Sequence, residues 1–317
     1  VHEVAVTASL PGRAEHMLRS VARVRIHDGE RLLDEGPLAR FASGADGLLT
    51  LLENPVGERL LGACPGLRVV GNCAVGHDNI DLAAARRHGV WVTNTPDVLT
   101  EATADLTWAL ILAVTRRVVE GEQLLRSGGY TGWALDLLLG SGLQGRRLGI
   151  VGLGRIGRAV ARRAPAFGME VVAVDPSAPA DHDPRVALVG LDELLATAHV
   201  VSLHCPLSAT TRHLLDEARL EAMPRGAFVI NTARGPLLDE GALVRVLESG
   251  HLGGAGLDVF EHEPEVHPGL LRRRDVVLLP HIGSATRETR AAMAELAAAN
   301  VVAVLEGRRP PTPVVEP

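Results

Sequence analysis

Residues 148–175 carry the pattern that most restricts how this chain can fold. Leu148–Val151 is a short apolar run, and Gly152-Leu153-Gly154-Arg155-Ile156-Gly157 follows it. Arg155–Arg163 then reads as a helix, and Glu170–Val174 as a second strand ending in Asp175. Glycines at this spacing, between a strand and a helix, let backbone approach a ligand. The first permits the tight turn, the second lets main-chain N–H groups near a pyrophosphate, and the third lets helix and strand pack closely. The anion then rests on the helix N-terminus. Asp175, 23 residues after Gly152, stands where a carboxylate hydrogen-bonds ribose hydroxyls. It also repels a 2′-phosphate, and no arginine occurs between Pro176 and Ala180, which favours NAD(H) over NADP(H). A ligand-free strand–helix turn is the competing reading, and the flanking strands and the acid argue against it.

The segments on either side continue the alternation. Val4–Thr7, Asp46–Leu52, Leu67–Gly71 and Val90–Thr93 read as strands, with Ala14–Val21 and Leu82–His88 as helices. Strands at Val200–Leu203, Ala227–Asn231, Gly254–Val259 and Val276–Leu279 are separated by helices at Leu191–Ala196, Asp216–Ala222 and Asp239–Ser249. Such alternation builds parallel sheets covered by helices. Thr100 to about Arg126 reads as one long helix, because Glu101 and Asp105 early and Arg116 and Arg117 late complement the helix dipole. Tyr130–Gly145 holds a leucine cluster without a clear period, Glu288–Leu305 is an Ala-rich helix, and the tail from Pro310 reads as extended. A glycine turn at residue 152 of 317 implies a nucleotide domain inserted into another domain. The expected divisions are 100–284 for the dinucleotide domain and 1–99 with 285–317 for the substrate domain.

Composition removes whole classes of function. All 32 basic residues are arginine, so Schiff-base chemistry and a P-loop lysine are excluded. Aromatics make up 3% and the net charge is −6, which argues against stacking on bases or binding a phosphate backbone, so no nucleic-acid partner is expected. Cys64, Cys73 and Cys205 form no disulfide framework and lack zinc-site spacing, and the 13 histidines show no ligand spacing, so no metal is expected. The longest apolar stretch, Leu106–Val114, is far short of the roughly 20 residues of a membrane span. With no signal-peptide pattern, a cytoplasmic location is expected.

Three further motifs lie at strand ends, where catalytic groups gather in doubly wound sheets. Arg234 follows the strand ending at Asn231, and its planar fork suits a carboxylate or a keto oxygen; alone, it reads equally as a surface arginine. Glu263 follows Asp258, and His281 follows the last strand. Singly these are ordinary loop residues. Together they make a sensible proton donor, since a carboxylate beside an imidazole favours the protonated ring and fixes its tautomer.

These motifs, with Val75-Gly76 through Asp81, Thr95-Pro96-Asp97 through Asp105, Asn231-Thr232-Ala233-Arg234-Gly235 and Pro280-His281-Ile282-Gly283-Ser284-Ala285-Thr286, occur in an order spanning nearly the whole chain. The sequence resembles the D-isomer-specific 2-hydroxyacid dehydrogenase family, and within it the glyoxylate/hydroxypyruvate reductases. The resemblance implies an α/β fold of two doubly wound parallel-sheet domains, a Rossmann NAD domain inserted into a flavodoxin-like substrate domain. It implies reversible hydride transfer between NAD(H) and a small 2-keto or 2-hydroxy acid. Arg234 would bind substrate, His281 would exchange the proton, and Glu263 would be its partner. The Val75 and Gly76 backbone would hold the substrate carboxylate. Thr103, Gly152, Gly154, Arg155, Ile156, Asp175, Pro206, Thr232, Asp258 and Gly283 would contact the cofactor, with Asp258 beside the nicotinamide. Cys205 reads as a packing residue. A homodimer built by the segment from 100 to 145, including Trp133, is also expected, and no C-terminal regulatory extension is. Alternatives are another D-2-hydroxyacid dehydrogenase, such as one acting on phosphoglycerate, or a low-turnover NADH sensor.

Overall fold

The short apolar runs become strands of two separate sheets in the computed structural model, which describes residues 1–29, 33–178 and 181–317. Pro179 and Ala180, the end of the arginine-free stretch after Asp175, lie outside the described residues. The chain divides into two units, Val1–Leu99 with Ser284–Pro317, and Thr100–Gly283. The first unit begins with β1 (His2–Val6), β2 (Ala22–Ile26), β3 (Gly47–Thr50), β4 (Val69–Asn72) and β5 (Trp91–Thr93). The second holds β6 (Arg147–Val151), β7 (Glu170–Val174), β8 (Val186–Leu188), β9 (Val200–Leu203), β10 (Phe228–Asn231), β11 (Gly254–Leu257) and β12 (Val276–Leu278). The chain then returns to the first sheet through the helix Arg287–Leu305 and β13 (Pro313–Val315).

The first sheet has the order β13-β5-β4-β3-β1-β2. Its first five strands are parallel, in the flavodoxin-like order, and β13 lies antiparallel on β5. Every residue of β3 and β4 is buried, because helices cover both faces. Leu38, Leu60, Leu61 and Ala84 pack one face, and Leu18, Ala297, Val301 and Val304 the other. The second sheet runs β8-β7-β6-β9-β10-β11-β12, parallel throughout. This is the Rossmann order with one strand added, and its direction of growth reverses between β6 and β9, beside the glycine turn. The helix Thr100–Thr115 packs against Arg155–Arg163, where the Trp108 indole N–H donates to the Val160 carbonyl at 3.0 Å. Among the described residues, no helix is long and apolar enough to cross a membrane.

The expected single helix from Thr100 to Arg126 is corrected by the structure. It is two helices, Thr100–Thr115 and Val118–Arg126. Arg117 between them adopts a left-handed φ of 52°. The break is a tertiary effect: the Ser141 N–H donates to the Thr115 carbonyl at 2.7 Å. Gly140 permits that approach, since a Cβ there would lie 2.4 Å from the same oxygen. Charge order along the helix carries no information about this contact. Strands β2, β8 and β13 and the helices Glu35–Ala42 and Glu58–Ala63 are structural findings beyond the sequence reading.

Candidate active site

The glycine turn joins β6 to the helix Arg155–Arg163. Gly152 has φ of 95°, and a Cβ on it would lie 2.6 Å from the Cys205 backbone nitrogen, so only glycine lets the turn and the loop after β9 approach. A Cβ on Gly157 would lie 2.0 Å from the Gly152 carbonyl oxygen, which is the close helix–strand packing required of the third glycine. Gly154 faces open space, and Arg155 beyond it is exposed at the helix start. The helix N-cap is Gly154, which has no side chain to cap the N-terminus that points toward the turn, the arrangement in which helix N-termini receive anions. Asp175 accepts the Leu153 N–H at 2.7 Å and the Ser177 N–H at 2.8 Å, which fixes its carboxylate beside the turn. These residues fit a dinucleotide: a bare backbone cradle, a helix N-terminus and an oriented acid. Pro206 is exposed in the neighbouring loop, and its carbonyl accepts the Thr211 hydroxyl at 2.8 Å. Burial pushes the Cys205 thiol up to about 11, so it carries no thiolate at neutral pH.

At the end of β10, Asn231 organises the loop that carries Arg234. Its side chain accepts the Ala233 N–H at 3.0 Å and donates to the Arg234 carbonyl at 2.8 Å. The Arg234 guanidinium donates to the Ala233 carbonyl at 2.7 Å. Gly235 is pressed against the next loop, where a Cβ would lie 1.9 Å from the Phe260 carbonyl carbon. Thr232 is buried, and its hydroxyl lies 2.9 Å from that of Thr107, one helical turn beyond the buried Thr103. Asn231 and Gly235 position Arg234, yet the sequence reading assigned them no role. Their signal was the strand-end motif itself.

Asp258, buried at the end of β11, joins two motifs. Its carboxylate accepts the Ile282 and Gly283 N–H groups, each at 2.7 Å, and its carbonyl accepts the His281 N–H at 2.9 Å. Burial pushes the Asp258 carboxyl above its ordinary range, although the two N–H donors pull the other way. A Cβ on Gly283 would lie 3.2 Å from this carboxylate and 3.5 Å from Thr103. His281 adopts a left-handed φ of 52°, a conformation a non-glycine residue keeps only where its surroundings impose it. Its Nδ1 lies 2.8 Å from Glu263 Oε2, while Glu263 Oε1 accepts the Phe260 N–H at 2.9 Å. The ring is therefore backed at Nδ1 by a carboxylate that is itself held, an arrangement that suits an imidazole to proton exchange.

Val75 and Gly76 belong to the first unit, in the loop after β4. The Thr95 N–H donates to the Ala74 carbonyl at 2.8 Å and ties this loop to the end of β5.

A Rossmann edge that sets a carboxylate-backed imidazole beyond the strands carrying the dinucleotide turn defines a nicotinamide-dependent oxidoreductase. The comparisons with known proteins give the family. The model of the D-isomer specific 2-hydroxyacid dehydrogenase NAD binding domain matches residues 108–283. The chain is 41% identical to a glyoxylate reductase of Thermococcus litoralis, over 98% of this chain and 95% of the relative. It is similar to the crystal structure of a Thermus thermophilus protein, with 50% identity, a TM-score of 0.94 and coverage of 99% of this chain and 100% of that one. It is also similar to an NADPH-dependent glyoxylate/hydroxypyruvate reductase from Sinorhizobium meliloti, with 34% identity, a TM-score of 0.87 and coverage of 99% and 98%. This chain belongs to the D-isomer-specific 2-hydroxyacid dehydrogenase family.

Proposed function

We propose that the enzyme reduces glyoxylate and hydroxypyruvate to glycolate and D-glycerate, with NADH preferred over NADPH. The observation that carries the reading is the 2.8 Å contact between His281 and Glu263 beside the Asp258-held turn. When bound, the reduced nicotinamide supplies the hydride that C2 of the keto acid accepts. Thr103, Gly152, Gly154, Arg155, Ile156, Asp175, Pro206, Thr232, Asp258 and Gly283 hold that cofactor. The Val75–Gly76 backbone and Arg234 bind the carboxylate, and Arg234 also polarises the keto oxygen. Protonated His281 gives its proton to that oxygen as negative charge develops there, and Glu263 stabilises the ring while it is charged. Alignment and fixed positive charge near the developing alkoxide supply much of the rate.

The preference for NADH rests on Asp175, whose carboxylate is held by two backbone N–H groups and whose charge disfavours a 2′-phosphate beside it. The Thermococcus litoralis relative is named for glyoxylate reduction, which supports the substrate assignment. We assign the dinucleotide domain to the unit Thr100–Gly283 and the substrate domain to Val1–Leu99 with Ser284–Pro317, one residue short of the expected boundary after 284. We assign the enzyme to the cytoplasm, on the strength of three cysteines that form no disulfide. Nothing in its charge calls for a nucleic-acid or membrane partner.

We also propose a homodimer. Leu125, Trp133, Leu135 and Leu139 expose 64%, 79%, 82% and 65% of their surfaces. The helix Val118–Arg126 buries none of its residues, so this arm presents an apolar surface that a second copy would cover.

The test is a panel of NADH and NADPH, each with glyoxylate, hydroxypyruvate, pyruvate and phosphohydroxypyruvate, followed by nicotinamide absorbance. Fast NADH oxidation with glyoxylate or hydroxypyruvate is expected. Faster turnover of phosphohydroxypyruvate overturns the substrate assignment, and faster NADPH oxidation overturns the cofactor preference.

A further inference from the structure

We infer that Asn72 and Asn94 are positioning residues, which hold the main chain so that the N–H groups of Val75, Gly76 and His77 face the substrate carboxylate. The inference rests on the proposal that this loop receives the carboxylate. Three successive carbonyls of this loop are anchored. That of Ala74 accepts the Thr95 N–H at 2.8 Å. That of Val75 accepts from Asn94 Nδ2 at 2.8 Å, and that of Gly76 from Asn72 Nδ2 at 2.8 Å. In a trans peptide the carbonyl of one residue and the N–H of the next point in opposite directions. Anchoring these carbonyls therefore turns the next three N–H groups away from the anchors. Among the described residues, none of the three N–H groups finds an acceptor within the chain. Backbone N–H groups with no acceptor in the chain are available to an anion, and three in succession are suited to a carboxylate.

Both asparagines are held in turn. Asn72 is fully buried, and its Oδ1 accepts the Thr50 hydroxyl at 3.2 Å and Asn79 Nδ2 at 3.4 Å. Those donors fix which end of the amide faces Gly76. The Asn94 carbonyl accepts the Thr312 hydroxyl at 2.6 Å and Nδ2 of the buried Asn300 at 3.3 Å. An amide suits position 72 because it donates to a carbonyl and accepts from its neighbours at once, which a carboxylate cannot do.

The experiment compares Asn72→Ala and Asn94→Ala with the parent enzyme, using glyoxylate as substrate and oxalate as a competing dianion. The alanine variants add no charge, so electrostatic repulsion does not enter. KM for glyoxylate is expected to rise about tenfold, with kcat within about threefold, as befits a charge-assisted contact weakened in ground and transition state alike. The oxalate inhibition constant rises in step, and NADH affinity holds. An unchanged KM, or a kcat that falls as far as KM rises, overturns the positioning role. Asn94 is half-buried, so Asn94→Ala decides alone if Asn72→Ala does not fold. A third variant, Gly76→Pro, deletes one of the three donors. If it raises KM while both asparagine variants leave it unchanged, only the positioning role falls. If KM is indifferent to Gly76→Pro as well, the carboxylate reading of the loop falls with it.

Discussion

His281 holds its left-handed backbone because Asp258 grips both the residue itself and the two that follow, so the imidazole proposed as proton donor is set by an aspartate on the adjacent strand end. Replacing the imidazole itself should leave that frame standing. His281→Ala and Arg234→Ala are each expected to lower kcat by about 10²–10⁴-fold, the range for a lost acid or oxyanion contact, while NADH still binds. Steady-state rates and a fluorescence titration of NADH check this together, and lost NADH affinity counts against both roles. Asp175→Ala should narrow the ratio of NADH to NADPH catalytic efficiency, and an unchanged ratio removes Asp175 from the choice of cofactor. At this scale the sequence is informative wherever chemistry sits at a strand end. Arg234, Glu263 and His281 are each ordinary taken singly, and they became legible because all three fall in the loops beyond strand-like apolar runs. Asn72, Asn94 and Asn231 do not stand out. Their work is to hold backbone carbonyls and N–H groups, and the partners become visible only when the chain is folded.

Elements were legible in proportion to how fully they are buried. β3, β4, β9, β10 and β11 bury every residue and read as short, largely apolar runs. β2 alternates, with Arg23 and Arg25 turned outward on the edge, and β8 has only three residues. Glu35–Ala42 and Glu58–Ala63 contain Gly36, Pro37 and Gly62, which read as breakers although Pro37 lies within the first helical turn, where it is tolerated. The division of the helix after Thr115 depends on Gly140, a residue far along the chain. The loop–loop contact at Gly235 belongs to this scale as well. Gly235→Ala forces a Cβ into the Phe260–Glu261 backbone, which cannot swing aside as a side chain can. A loss of about 1–3 kcal/mol or more is expected, measured by urea unfolding, with activity falling too because Arg234 is adjacent. Stability within about 0.5 kcal/mol of the parent would show that the loops are free to separate.

For the whole molecule, the exposed arm from Val118 to Leu139 is the feature that a lone chain does not explain. Replacing Leu135 and Leu139 together by arginine puts charge at the centre of the apolar surface. The parent should sediment as a dimer and the double variant as a folded monomer; identical sedimentation would mean that the arm serves some other purpose. The sequence exposed the two-sheet plan because the glycine turn sits at mid-chain, but it left β13 as an extended tail. That short strand bears on how the molecule is made. It completes the first sheet by lying against β5, and the helix Arg287–Leu305 packs on the same sheet, but both are translated after residue 283. A ribosome therefore releases the inserted unit whole while the older half of its host is still missing a covering helix and an edge. Vectorial synthesis favours closing the contiguous unit first. Until the last residues emerge, the face of the sheet that Ala297, Val301 and Val304 will cover depends on whatever else in the cell will shield it.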